Sequence, residues 1–230
     1  MKVVIATSTV SDGSMLNRHN PLDVQIIKNR QRFLLSQGID MKDTTRLKVN
    51  TLQRATVLNE SNWLRYLAVT AKDKAKAMTD NNFVTADAII TTDVGHALFL
   101  AVADCVAATF FDPVHNVLAV AHLGRHSLEQ RGAEKLIEHL EKQFHSDPKQ
   151  MKVWLSPSPS KDIYPIWALE NKGMKEVTFE QLVSSGVELE NIEDNTAETD
   201  KDLNYFSYTE FFNGRQTEDG HYGVVAMITS

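Results

Sequence analysis

The sequence predicts an α/β protein, a single domain over residues 1–230 with a mixed β-sheet flanked by helices. Three observations carry that expectation. Apolar runs at Ala86–Thr91, Ala97–Phe111 and Val117–Ala121 are bounded by turn signals, as in strands buried on both faces. Other segments place apolar residues at helical spacing: Ile26, Ile27, Phe33 and Leu34 in one, and Ala133, Leu136, Ile137, Leu140 and Phe144 in another. Strands and helices then mix without strict alternation, which points to a sheet with both strand directions.

The elements follow in order. Asn20 is the expected N-cap of the first helix, with Pro21 at its first position and Asp23 in its first turn, where the helix dipole favours an acid. Gly38 is placed to end that helix in a left-handed conformation. Leu47–Val57 reads as a strand, with Ser61 as the cap of a short helix after it. Beyond the three apolar runs comes the helix through Ala133 and Phe144, and Val153–Leu155 is a short strand before a Ser-Pro-Ser-Pro loop. Thr178–Ser185 is expected as a helix ending at Gly186. The acidic stretch from Glu188 to Asp202 reads as a loop, and Tyr205–Phe211 and Tyr222–Ile228 read as returning strands.

Composition narrows the function. At 230 residues, with 42% hydrophobic and 23% charged side chains, the chain is long enough and apolar enough to bury a core. A formal net charge of −6 argues against nucleic-acid partners, which require a basic surface, and against anionic membranes. The longest apolar stretch is broken by Asp104 and is too short to span a bilayer. The N-terminal MKVVIATSTVSDG lacks the apolar core of a secretory signal, and the single cysteine suits a reducing compartment, so a cytoplasmic location is expected.

The chemistry concentrates between Ala101 and His126. In Asp112-Pro113-Val114-His115 the acid and the proline suit a type I turn. A hairpin closed on those four residues makes Cys105 face His122 directly, with Cβ atoms about 5 Å apart on one face. A thiol beside an imidazole is either half of a metal site or a nucleophile with its base. The plainer alternative makes Cys105 a small buried hydrophobe and His122 a strand-end residue with a satisfied hydrogen bond. Asp104, a carboxylate inside AVADCVAATFF, is costly to bury without a partner and is expected at a strand end or in a pocket.

These residues carry a resemblance. ADAIITTD, AVADC, FFDP and AHLGRH, in that order and spacing, resemble the laccase-domain family. Its members were once called polyphenol oxidases or multicopper laccases and are now associated with zinc-dependent purine nucleoside phosphorolysis and adenosine deamination. Asn29-Arg30 is similar to the family's "NR", Tyr205–Tyr208 (YFSY) to its "FFSY", and Gly214-Arg215 to the "GR" that follows. The resemblance implies zinc as cofactor, a purine nucleoside and phosphate as substrates, Cys105 and His122 as metal ligands at the catalytic centre, and Arg30, Ser207 and Tyr208 as substrate-binding residues. It also exposes departures. Leu52 stands where the family's third zinc ligand, a histidine, is expected, and no histidine lies between His19 and His96. The family's "HAGWR" is replaced by His122-Leu123-Gly124-Arg125-His126, its "CT" pair by Asn195-Thr196, and the Arg after "FFSY" by Thr209. His126 is the first candidate for a replacement ligand and Asp104 the second. The resemblance thus implies a family-type enzyme with a modified metal site or, alternatively, a degenerate member that binds without turnover. A cysteine-nucleophile hydrolase ranks behind both, because nothing near the pair supplies an oxyanion hole. One cysteine and scattered histidines also argue against a multicopper oxidase.

Overall fold

A computed structural model describes residues 1–49, 64–80, 82 and 84–230. Among the described residues the strands form two mixed sheets rather than the one expected. The first has five strands in the order β1 (Lys2–Thr7), β11 (Tyr222–Thr229), β6 (Ala97–Val102), β2 (Thr44–Val49), β4 (Val84–Ala86). The second has six: β10 (Ile192–Asp194), β9 (Lys152–Leu155), β7 (Val106–Asp112), β8 (Val117–Leu123), β5 (Ala88–Thr91), β3 (Tyr66–Ala68). The expected mixture of directions is present in each. In the first sheet β2 runs parallel to β4 and β6, and β11 antiparallel to β1 and β6. In the second, β7, β8, β5 and β9 pair antiparallel while β10 and β3 join parallel.

Period-two alternation explains how the sheets stack. In β6, Leu98, Leu100 and Val102 join Leu118 and Val120 of β8, and Val224 and Ala226 of β11, in a core between the sheets. The intervening Ala97, Phe99 and Ala101 turn to the outer face, where α1 (Val24–Ser36) covers them with Phe33 and Leu34. On the far side, Ala119, Ala121 and Phe110 of the second sheet pack under α3 (Gly132–Phe144) and α4 (Met174–Ser184). The result is four layers, helix–sheet–sheet–helix. The apolar runs carry no polar alternation because each strand is covered on both faces.

Several local expectations are corrected. The run Ala97–Phe111 is two strands, one in each sheet, broken at residues 103–105, where Asp104 takes φ +85°. Helix α1 is capped by Asp23, whose carboxylate accepts from the Gln25 amide at 2.8 Å, while Asn20 and Pro21 lie in the preceding turn. Gly38 does take the left-handed conformation, at φ +71°. The acidic stretch contains β10, and Trp154 Nε1 donates to Glu193 Oε2 at 2.7 Å beside it. Tyr205–Phe211 is not a strand: α5 (Tyr208–Phe212) starts there, because Ser207 supplies an N-cap oxygen to the Glu210 amide at 3.1 Å. Strand β2 covers the first residues of the expected 47–57 strand. The remainder of that segment, with Leu52, and the Ser61 cap lie outside the described residues.

Candidate functional site

The site forms at one end of the inter-sheet space, where the last residues of β6, β8 and β9 meet the first residues of β7 and β11. The β7–β8 hairpin sets it up. Its loop is residues 113–116 rather than 112–115, because Asn116 adopts a left-handed φ of +55° and extends the turn by one residue. Asparagine tolerates that conformation better than most residues. Asp112 stabilises the loop: its Oδ1 accepts from the Val114 and His115 amides at 2.8 and 3.1 Å. Asp112 therefore pairs with Val117, and Ala107, not Cys105, lies opposite His122.

The shift is by two residues, so facedness is kept. His122 shares the inner face of β8 with Leu118 and Val120, and Cys105 precedes by two residues Ala107, which faces the same core. Gly124 makes the convergence visible. A Cβ built there would lie 2.8 Å from His122 Cε1, 3.2 Å from His122 Nε2 and 2.9 Å from Cys105 Sγ. Thiol and imidazole thus close on the same point, and a glycine leaves room for them. Both residues are partly exposed, so the pair opens to solvent.

Around the pair the polar groups are organised. The His122 amide donates to the Asp87 carbonyl at 2.8 Å, tying β8 to the start of β5. The Ala107 amide donates to Ser156 Oγ at 2.9 Å, and Tyr222 Oη donates to the Pro157 carbonyl at 2.6 Å, so the loop after β9 is pinned between the two sheets. Burial pushes the Tyr222 phenol well above its ordinary value, and the nearby Asp104 carboxylate adds to that push. Asp104 itself is 3% exposed and lies in the break just beyond the end of β6. Its Oδ1 accepts from Thr199 Oγ1 at 3.0 Å, and its Oδ2 accepts from the amide and the Oγ1 of Thr209, both at 2.8 Å.

The remaining candidates fall in three places. Ser207 and Tyr208 open α5, next to the Thr209 that holds Asp104; Ser207 is buried as the cap, and Tyr208 is half-exposed with the Arg18 guanidinium 3.9 Å above its ring. Arg30 is fully buried on α1, at the outer face of the first sheet. Its Nε donates to the Met15 carbonyl at 2.7 Å and its Nη1 to the Met78 carbonyl at 3.1 Å. Burial, with the nearby Arg46, lowers its pKa to about 9. His126 is exposed in the first turn of α2 (Arg125–Glu129), its Nδ1 3.5 Å from Glu129 Oε2. Among the described residues no three His, Cys, Asp or Glu side chains are grouped to hold a metal, so His126 does not complete a ligand set with Cys105 and His122. Asp104 does not either, since both its oxygens are engaged by threonines. Among the described residues the donors at this point therefore number two, which does not fit a three-ligand zinc centre. The signal that sequence reasoning missed is Thr199, whose hydroxyl on Asp104 had no motif to announce it.

A four-layer sandwich with this cysteine–histidine end defines the class. The family model for multi-copper polyphenol oxidoreductase laccase matches residues 22–170, and the chain belongs to that family. Among individual relatives, it is 29% identical over 147 residues to purine nucleoside phosphorylase YlmD of Bacillus subtilis (strain 168). That match covers 63% of this chain and 49% of the relative, so the chain aligns with about half the length of that protein. Two solved structures share the fold: YlmD from Geobacillus stearothermophilus, with a TM-score of 0.81 at 16% identity, covers 99% of this chain and 92% of its own. The Bacillus licheniformis hypothetical protein YfiH has a TM-score of 0.80 at 18% identity, covering 99% and 93%. No helix among the described residues is long and apolar enough to cross a membrane.

Proposed function

We propose that this protein is a purine nucleoside phosphorylase-like enzyme, with adenosine deamination as a related activity, working at Cys105 and His122 with a metal site short of one ligand. The observation that carries this reading is the convergence of Cys105 Sγ and the His122 ring over Gly124, at a solvent-open end of the inter-sheet space. Family membership and the activity in the relative's name support the substrate class, a purine nucleoside with phosphate. In this reading Tyr208 lines the substrate side at the start of α5, the buried Ser207 supports it as the cap of that helix, and Arg30 contributes by fixing α1 against the first sheet.

Zinc is the cofactor of the proposal, and its hold is weak. Even an outer-sphere partner is worth roughly 10–100-fold in metal affinity, so a missing direct ligand costs at least that much. The protein's own residues bear on binding and placement: the buried Asp104 fixes the backbone under Cys105, and the Asp87 carbonyl fixes the backbone of His122. Two donors where three are needed favour a second reading, a nucleoside binder without turnover. The assay that decides is incubation with inosine and with adenosine, with and without phosphate and added zinc, following base and ammonia release. The enzyme reading expects slow phosphate-dependent base release that Cys105→Ala removes. Saturable nucleoside binding in calorimetry with no product would favour the binder.

A further inference from the structure

We propose that Thr209 is a positioning residue that, acting through Asp104, holds the Cys105 thiol against His122. Asp104 occupies the crossover between the two sheets with φ +85°, a conformation that costs a non-glycine residue on the order of 1 kcal/mol or more and persists only where surroundings enforce it. The enforcement is visible. Its carboxylate accepts three hydrogen bonds, two of them from Thr209 and one from Thr199, and it is buried while doing so. The next residue is Cys105, whose Sγ reaches the point shared with His122 beside Gly124. The direction in which β7 leaves the crossover, and with it the thiol, follows from how α5 grips the carboxylate.

The side-chain half of the grip depends on the Thr209 hydroxyl. An arginine at position 209 would meet Asp104 with a charge on a long side chain. Thr209 meets it with a short hydroxyl and its own amide at the first turn of α5, which fixes the helix end and the crossover to one another at 2.8 Å. Thr199 reaches the other oxygen from the loop after β10. Two segments distant in sequence are thus tied to the residue before the thiol.

The inference rests on the reading that Cys105 and His122 are the working pair, but its test needs no turnover. Cys105 is the only cysteine, so iodoacetamide reports on that thiol alone. Alkylation rates of the metal-stripped full-length protein are compared for wild type, Thr209→Val, His122→Asn and the double variant. A hydrogen bond to a charged carboxylate is stronger than a neutral one, so Thr209→Val should change the rate about tenfold or more, in the same direction as His122→Asn. In the double variant His122→Asn should have little further effect, because a released thiol has already left the imidazole. Thr209→Ser, which keeps the hydroxyl, should restore the wild-type rate. Thr199→Val repeats the comparison at the other oxygen, and thermal unfolding confirms that each variant is folded. A wild-type rate in folded Thr209→Val, or effects of the two substitutions that simply multiply, would overturn the proposal. Failure of nucleoside turnover would leave these rates unaffected and bear only on the function.

Discussion

At Gly124 a single hydrogen in place of a methyl group decides whether the site exists. The backbone there is ordinary, with φ −88°, so alanine strains nothing locally, yet its Cβ would stand under 3 Å from both Cys105 Sγ and His122 Cε1. Gly124→Ala should therefore cost about 1–3 kcal/mol in denaturant unfolding, the usual range for overpacking, and abolish nucleoside binding measured by calorimetry. His221 makes a prediction of a different kind. Burial, and then the charge of Arg18, lower its pKa from 6.5 to about 3, and its Nε2 accepts from Arg18 Nε at 3.2 Å while Arg18 pairs with Asp219. The folded state keeps the ring neutral where the unfolded chain protonates it. The stability tied to neutral His221 is thus complete above pH 6.5 and is lost as pH falls towards 3, at about 1.4 kcal/mol per pH unit. Denaturant unfolding between pH 7 and 4 should show this slope, and His221→Gln, which can still accept from Arg18, should flatten it.

At the scale of elements, short polar contacts decide what apolar pattern does not. The β7–β8 hairpin was legible in its strands and in the Asp112–Pro113 turn, but not in its register. The register depends on whether Asn116 joins the loop, and an asparagine serves equally as a left-handed loop residue or a strand start. The aromatic run YFSYTEFF reads as a strand by composition, whereas a serine cap and a buried carboxylate make it a helix. That carboxylate lies about a hundred residues away in sequence, beyond any local window. Ser207→Ala should accordingly cost about 1 kcal/mol, the usual worth of an N-cap, in equilibrium unfolding. It should also shift Cys105 alkylation in the direction of Thr209→Val, because both loosen the start of α5. Tyr208→Phe, which leaves the cap untouched, should do neither.

For the whole molecule, the α/β class and the mixed strand directions were readable because apolar runs and helical stripes are local signals. The division into two sheets was not. It turns on one residue, Asp104, which interrupts the longest apolar run and sends its two halves to opposite layers. The pairing of a thiol with an imidazole followed from the same hairpin and survived the register change, since a shift of two residues keeps both side chains on one face. The family resemblance expects a histidine where Leu52 stands, and among the described residues no third His, Cys, Asp or Glu groups with Cys105 and His122. Restoring that donor is the most direct test. Zinc content of the purified, tag-free protein and zinc-dependent phosphorolysis of inosine are measured for wild type, Leu52→His and Leu52→His with Cys105→Ala. The account predicts well under one zinc per wild-type chain, with at least about tenfold tighter zinc binding and faster base release in Leu52→His, both lost when Cys105 is removed. A wild type that holds one tight zinc per chain, or a Leu52→His variant that gains neither metal nor turnover, would contradict it.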